Sequence, residues 1–340
     1  MQNIFIIYTG GTIGMVKDAE TGTFVPFDFD LIARNLPDLE RVDYRLTVHS
    51  FTPIIDSSNM NPTIWVEMAE IIRNNHDNYD GFVILHGSDT MSFSASILSF
   101  MLEGLQKPVI LSGSQLPIGE IRTDARENMM TALEIASAKD NGKSIVQEVC
   151  ILFDNKLFRG NRSFKYNSAK FEAFRSPNYP VLAEAGIHIN YNREALLDNT
   201  AKEFIMHTAL DNRVGVLKLF PGISPTIVKS ILDADVRSIV METFGSGNTM
   251  TDQWFLDMLA DTIKKGKNIV DISQCKVGSV ELGRYETSQG LKELGVLNGY
   301  DMTFEAAVTK LIYLQGQLAE QDDVAYWVEK NIRGELTVND

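Results

Sequence analysis

The chain has 340 residues, more than one ordinary core holds and close to two domains at roughly 150 residues each. Hydrophobic residues make up 44% and charged residues 22%, the balance of a soluble globular protein, and no apolar run is long enough to span a bilayer. A formal net charge of -14 repels phosphate backbones and anionic lipid, which argues against nucleic-acid and membrane partners.

Met1-Gln2-Asn3 leads straight into the apolar residues 4–8, which lack a basic n-region and are too short for a signal h-region, so the expected location is the cytoplasm. Residues 4–8, 82–85, 109–111 and 149–153 are apolar on both faces and read as strands buried in a parallel sheet. Between them, residues 63–75 place Ile64, Met68, Ile71 and Ile72 on one helical face. Met91, Ala95, Leu98, Leu102 and Leu105 recur at steps of four and three, predicting an amphipathic helix, and a third helix is predicted over 124–139. From about 160 to 193 the pattern breaks up, with Pro177, Pro180 and Gly186. A second alternating set follows, with strands at 214–220, 239–243 and 269–272 and helices at 225–234, 252–264 and 304–314. The order argues for an α/β fold: a larger N-terminal domain (1–190) with an open, mostly parallel sheet and helices on both faces, a linker (191–212), and a smaller α/β C-terminal domain (213–340).

Cys150 and Cys275 lie far apart, each inside an apolar segment and without C-x-x-C spacing, which predicts two buried thiols in a reducing compartment. His49, His76, His86, His188 and His207 are scattered and form no metal-binding pattern, so no metal is expected.

Ligands in open α/β sheets bind where strands give way to loops. Two strand ends are rich in glycine and hydroxyl residues: Thr9-Gly10-Gly11-Thr12-Ile13-Gly14 and His86-Gly87-Ser88-Asp89-Thr90-Met91. Glycines let backbone N–H groups approach a ligand, and two hydroxyls and a carboxylate can converge there. Asp89 reads equally as the N-cap of the helix that follows, and Thr9 and Thr12 as residues that tie down a turn. The segment lacks the Lys-Ser/Thr of a phosphate loop and does not match G-x-G-x-x-G. Asp56-Ser57-Ser58-Asn59-Met60 reads either as part of a site or as an Asx-type turn before a helix. Arg159-Gly160-Asn161-Arg162-Ser163-Phe164-Lys165 reads as a basic loop whose charges are ordinarily solvated.

Together these segments resemble the asparaginase/glutaminase family, specifically its type I cytoplasmic branch. T-G-G-T-I-G and H-G-S-D-T-M match its two signatures, in order. The resemblance extends through Asp56-Ser57-Ser58, Gly113-Ser114-Gln115-Leu116-Pro117, Arg159-Gly160-Asn161-Arg162, Gly186-Ile187-His188-Ile189 and Arg333-Gly334-Glu335-Leu336-Thr337, covering essentially the whole chain. It implies hydrolysis of L-asparagine to L-aspartate and ammonia through an acyl-enzyme on Thr12. Ser88, Asp89 and Lys165 are then the second catalytic group. Asp56, Ser57 and Ser58, with Ser88, Asp89 and Ser114, bind substrate, and Asp89 pairs with its α-ammonium. No metal or organic cofactor is implied. The resemblance also implies a homo-oligomer, a dimer or a dimer of dimers, with Asn248 completing the site across subunits. A dual glutaminase-asparaginase is the alternative, followed by an amino-acid-binding protein without turnover. An amidase acting on a transfer-RNA-linked substrate is disfavoured by the acidic surface.

Three departures stand out. Ser88 occupies a position where the family has Thr. Phe24, in the loop after Thr12, has no hydroxyl where many relatives carry an activating tyrosine, and Tyr285 is the substitute. Tyr285 reads equally as a packed interface tyrosine. A second, allosteric site of type I relatives is not expected to function here. Phe164 stands at a threonine position of that site and Glu242 at an arginine position, while Cys275 matches the remaining pocket residue.

Overall fold

The structure, a computed structural model, describes residues 1–17, 24–26, 39, 44–200, 202–284 and 286–338, and the chain divides into two units, Met1–Thr208 and Ala209–Asp340. The first unit is built on strands β1 (Gln2–Tyr8), β2 (Tyr44–Ser50), β3 (Gly81–Leu85), β4 (Val109–Ser112), β5 (Val149–Phe153), β6 (Lys156–Arg159), β7 (Ala183–Ala185) and β8 (Ile189–Tyr191). They form one sheet in the order β8-β7-β6-β5-β4-β3-β1-β2. The five strands β2-β1-β3-β4-β5 are parallel, and β6, β7 and β8 continue the sheet antiparallel. Asp154 and Asn155 turn the β5–β6 hairpin with φ of 49° and 62°, the left-handed pair a two-residue type I′ turn requires.

Helices α1 (Pro62–Asn75), α2 (Met91–Met101) and α3 (Ala125–Ser137) carry the crossovers. Ile4, Ile6, Tyr8, Val83, Leu85 and Ile110 pack with Met129, Ala132, Leu133 and Ala136 of α3 on one face of the sheet. Phe5, Ile7, Phe82, Ile84 and Leu111, which alternate with them, are buried as well. Burial on both faces explains why the strands read as unbroken apolar runs. The edge strand β2 instead alternates, with Leu46 and Val48 packed on the core and Arg45 and Thr47 exposed. Asn61 caps α1 by accepting from Thr63 N (3.0 Å), with Pro62 at the first helical position.

The expected amphipathic helix is buried nearly all round, and it ends at Met101 instead of reaching Leu105. Ser92, Ser94, Ser96 and Ser99 are inside; Ser99 Oγ donates to Ala95 O (2.7 Å) and Ser94 Oγ bonds to Trp65 and His86, which offsets their burial, whereas Ser92 Oγ has no partner among the described residues. Residues 160–162 cover what would have been the solvent face, with Gly160 against Ala95. Residues 195–199, expected as linker, belong to the first unit. Glu148 and Arg159 form a buried ion pair (2.6 Å); Arg159 also donates to Ala195 O (2.7 Å) and Glu148 accepts from Leu197 N (2.8 Å).

The second unit has a parallel sheet in the order β9 (Val214–Lys218), β10 (Ser238–Thr243), β11 (Asn268–Ser273) and β12 (Leu297–Asn298). Its helices are α4 (Pro225–Leu232), α5 (Gln253–Lys264), α6 (Glu286–Leu294), α7 (Phe304–Gln317) and α8 (Gln321–Val328). The closing R-G-E-L-T segment is a structural clamp. Glu335, fully buried, pairs with Lys310 (2.5 Å) and accepts from Ile332 N and Arg333 N, while Lys310 also donates to Val328 O (2.8 Å). Cys150 is buried, but Cys275 is exposed, against expectation, because it follows the end of β11 instead of lying within the strand.

Candidate active site

Four loops leave the carboxyl ends of β1, β2, β3 and β4. In the order β2-β1-β3-β4-β5 the chain order reverses between β1 and β3, so the crossovers diverge there and open a crevice of the kind that binds ligands in α/β sheets. The two glycine-rich loops leave the strands that flank this reversal.

The loops touch backbone to backbone. Gly11 has φ +94°, and a Cβ there would lie 2.6 Å from Gly87 Cα; a Cβ on Gly87 would lie 2.5 Å from Ser57 Oγ. No side chain fits at either position, so the T-G-G-T and H-G-S-D glycines are demanded by this approach. Ile55 N donates to Thr9 O (2.7 Å) and Thr90 Oγ1 to Ser57 O (2.7 Å), which ties the 55–58 segment to both loops. Thr90 was not singled out in the sequence, although it stands inside the second signature.

Thr12 opens a single 3-10 turn, Thr12–Gly14, half-buried, and its Oγ makes no hydrogen bond among the described residues. Ser57 is buried at the start of a second such turn, Ser57–Asn59. Asp56 caps that turn by accepting from Ser58 N (2.9 Å) and Ser58 Oγ (2.7 Å), and these two donors hold its carboxyl below the ordinary range. Asp56 and Ser58 are thus bonded to each other, in the Asx-type turn their spacing allows.

Lys165 follows the 160–162 turn that packs on α2, and its side chain reaches the residues after β3. Its Nζ donates to Ser88 Oγ (2.8 Å) and pairs with Asp89 Oδ1 (2.6 Å). Lys165 is 17% exposed and Asp89 70%, so the amine is enclosed while the carboxylate faces outward. Asp89 does not cap α2: the N-cap is Thr90, and it makes no side-chain cap bond. Nor are the basic residues before Lys165 solvated. Arg162 is buried, and Arg159 and Arg162 stand 4.3 and 5.0 Å from the Tyr179 ring centroid. Lys165 then lies in a short hairpin, Phe164–Lys165 against Phe174–Arg175. Gln115 Nε2 donates to Lys170 O (2.9 Å) in that hairpin, and Asp124 accepts from Gln115 N (2.9 Å) and Leu116 N (3.1 Å). Asp124 and Gln115 therefore join the β4 loop to the hairpin that presents Lys165, a link invisible in the sequence because Gln115 and Lys170 are 55 residues apart.

Ser114 is buried in the β4 loop, where its hydroxyl donates to Leu116 O (2.6 Å). Asn248 lies in the second unit, closing a tight loop by N–H donation to Phe244 O (2.8 Å). Tyr285 lies outside the described residues, as do residues 18–23 of the loop after Thr12; the backbone of Phe24 belongs to a strand, Phe24–Pro26, paired with Met15–Lys17. Phe164 is buried with its ring edge-to-face on Tyr166. Glu242 is buried and faces Lys218 Nζ at 3.3 Å. Among the described residues no three His, Cys, Asp or Glu side chains gather as a metal site, and no helix is long and apolar enough to cross a membrane.

Residues 3–197 match the family model described as "Asparaginase, N-terminal", and residues 213–327 match "Glutaminase/Asparaginase C-terminal domain". The chain is 40% identical over 342 residues to L-asparaginase 1 of Escherichia coli K12, covering 100% of this chain and 99% of that protein. It is 39% identical to the 60 kDa lysophospholipase of Mus musculus, which it matches over 63% of that longer protein. Among solved structures, L-asparaginase I from Vibrio cholerae superposes with a TM-score of 0.90 at 39% identity, covering 99% of both chains.

Proposed function

The chain belongs to the asparaginase family, and on that premise we propose that it is an L-asparaginase that hydrolyses the side-chain amide of L-asparagine through an ester on Thr12. The observation that carries this reading is the Gly11–Gly87 contact, which sets the Thr12 turn beside the Ser88, Asp89 and Lys165 cluster at the strand-order reversal. Thr12 Oγ attacks the amide carbon, and its proton is relayed through Ser88 and Lys165 to the departing nitrogen. The C–N bond breaks, ammonia leaves, and water then cleaves the ester to give aspartate and free Thr12. A neutral hydroxyl is a weak nucleophile, and Lys165, an ammonium beside Asp89, assists by passing a proton toward the departing nitrogen and taking one back from Ser88, which takes the proton of Thr12.

Binding follows charge. Asp89, outward-facing, receives the substrate α-ammonium, and the Ser57 hydroxyl receives the α-carboxylate, while Ser58 gives its N–H and its hydroxyl to Asp56 and so shapes the turn that presents Ser57. The N–H groups of the glycine-rich loops stabilise the oxyanion. The protein acts in the cytoplasm, where the exposed thiol of Cys275 stays reduced. It assembles as a homo-oligomer in which Asn248 of the partner subunit completes the site. Ammonia release from the purified protein, with asparagine and glutamine side by side, tests the reading. Release from asparagine with little from glutamine supports it; comparable rates make the protein a glutaminase-asparaginase, and no release from either sinks it.

A further inference from the structure

His86, the first residue of the second signature, is fully enclosed, and both ring nitrogens are bonded. Nδ1 lies 2.6 Å from Gly87 O and Nε2 lies 2.8 Å from Ser94 Oγ, which in turn lies 2.9 Å from Trp65 Nε1. The direction of each bond follows from its ends. A carbonyl oxygen only accepts, so Nδ1 carries the proton. An indole N–H only donates, so Ser94 Oγ accepts from Trp65 and spends its own proton on Nε2. Burial pushes the imidazole down to about 4, so the ring is neutral near pH 7 and this is its one consistent tautomer. The chain runs Trp65 N–H to Ser94 O–H to His86, and His86 Nδ1–H to the Gly87 carbonyl. Trp65 and Ser94 sit on α1 and α2, which are rigid elements behind the loop.

The acceptor at the end of this chain is the peptide between Gly87 and Ser88. Gly87 makes the close approach to Gly11 and to Ser57, and Ser88 carries the hydroxyl bonded to Lys165. We propose that His86 is a positioning residue: its Nδ1–H bond to the Gly87 carbonyl sets the three-loop contact on which the placement of Thr12, Ser57 and Ser88 depends. The inference rests on the roles given above to Thr12 and Ser88. His86 touches neither substrate nor reacting atoms.

Two substitutions separate positioning from mere filling. Asparagine places an amide nitrogen where Nδ1 is, and glutamine places one where Nε2 is. His86→Asn therefore keeps a donor for Gly87 O but leaves the larger void, whereas His86→Gln fills more space and keeps only the Ser94 contact. If His86 only filled the core, asparagine would be the more damaging change. Positioning demands the opposite order in kcat for ammonia release, compared per folded molecule. His86→Gln lowers kcat by about ten-fold with KM altered less than about two-fold, and His86→Asn recovers most of that loss despite a lower Tm. Glutamine matching the wild type, or asparagine proving the slower variant, would overturn the proposal.

Imidazole 15N–1H correlation spectra, with the His86 signal assigned by its loss in His86→Asn, give a readout that does not depend on activity. The proton should sit on Nδ1 and the signal should not titrate between about pH 5 and 8. A proton on Nε2, or titration in that range, refutes the bond. Should either His86 variant fail to fold, Ser94→Ala removes the Nε2 donor without touching the ring; the Gly87 carbonyl keeps the proton on Nδ1, and a ring anchored at one end only should lower kcat by about two- to five-fold. A proton moved to Nε2, or an unchanged kcat, in Ser94→Ala counts against the chain. A wild-type protein that released no ammonia would remove the roles of Thr12 and Ser88, while the spectra would still decide the His86 bond.

Discussion

Replacing Asp89 by asparagine separates a catalytic carboxylate from a helix cap, because the structure assigns different sizes to the two effects. Asp89 is 70% exposed and its ion pair with Lys165 is open to water on one side, so its net contribution to folding is at most about 1 kcal/mol. That corresponds to a fall in Tm of under about 4 °C. No cap bond is lost, since α2 begins at Thr90 without one. The carboxamide oxygen that Asp89→Asn introduces can still accept from Lys165 Nζ. What disappears is the negative charge that faces Lys165 Nζ 2.6 Å away and, on the proposed mechanism, meets the substrate ammonium. Truncating one partner of a buried hydrogen-bonded charge pair costs ~2–5 kcal/mol, and Asp89, 70% exposed until substrate covers it, belongs at the low end of that range, ~2–3 kcal/mol. Asp89→Asn should thus lower kcat/KM for asparagine by about 30- to 150-fold, spread over both constants, because the charge serves binding and the Lys165 cluster together. Ammonia release measured beside thermal melts provides both quantities from one preparation. A variant with a depressed Tm and unchanged kinetics per folded molecule would refute the reasoning and restore the capping role.

Thr12→Ala should lower turnover by at least about a thousand-fold while asparagine still binds by calorimetry, if, as proposed, Thr12 supplies covalent chemistry and the neighbouring loops supply affinity; near-normal ammonia release would exclude it as nucleophile. In the second unit, burial pushes the Asp271 carboxyl from 3.8 up to about 7, with the Thr243 hydroxyl (2.7 Å) drawing it only part of the way back. The native state then holds a proton that the unfolded chain releases between about pH 4 and 7, so this group makes stability fall as pH rises through that window and level off above it. Urea midpoints at several pH values should show this slope in the wild type and a flatter one in Asp271→Asn; equal slopes would exonerate Asp271. Initial rates should rise hyperbolically with asparagine, because Glu242 presents a carboxylate, paired with Lys218, where an effector's carboxylate would need a cation. A sigmoidal curve would contradict that.

Much of the fold was legible because its determinants are local. Residues 4–8, 82–85 and 149–153 are apolar without alternation, which only a sheet covered on both faces accommodates, and Asn61-Pro62, Ser224-Pro225 and Thr303 announce helix starts by capping chemistry that acts within three residues. The glycine-rich strand ends were equally plain, since close backbone approach excludes every side chain. The family resemblance rests on those same segments, so it arrived with the site.

What the chain alone left open was decided by contacts between distant residues. β2 was not read from the sequence because only one of its faces is covered, and Arg45, Thr47 and His49 gave Leu46 and Val48 no longer apolar run to join. Met91, Ala95 and Leu98 promised a helix covered on one side, yet residues 160–162 pack over it as well, and Ser94 bridges Trp65 and His86. Arg159, Arg162 and Lys165 look alike as basic loop residues. Their fates differ because Glu148 and Tyr179 hold the two arginines inside, while the chain beyond them carries Lys165 to Ser88 and Asp89, 77 and 76 positions away. A sequence states which groups can donate, accept or carry charge. Which of them meet is settled only when the sheet order brings β1 and β3 side by side and the loops above them close to van der Waals contact.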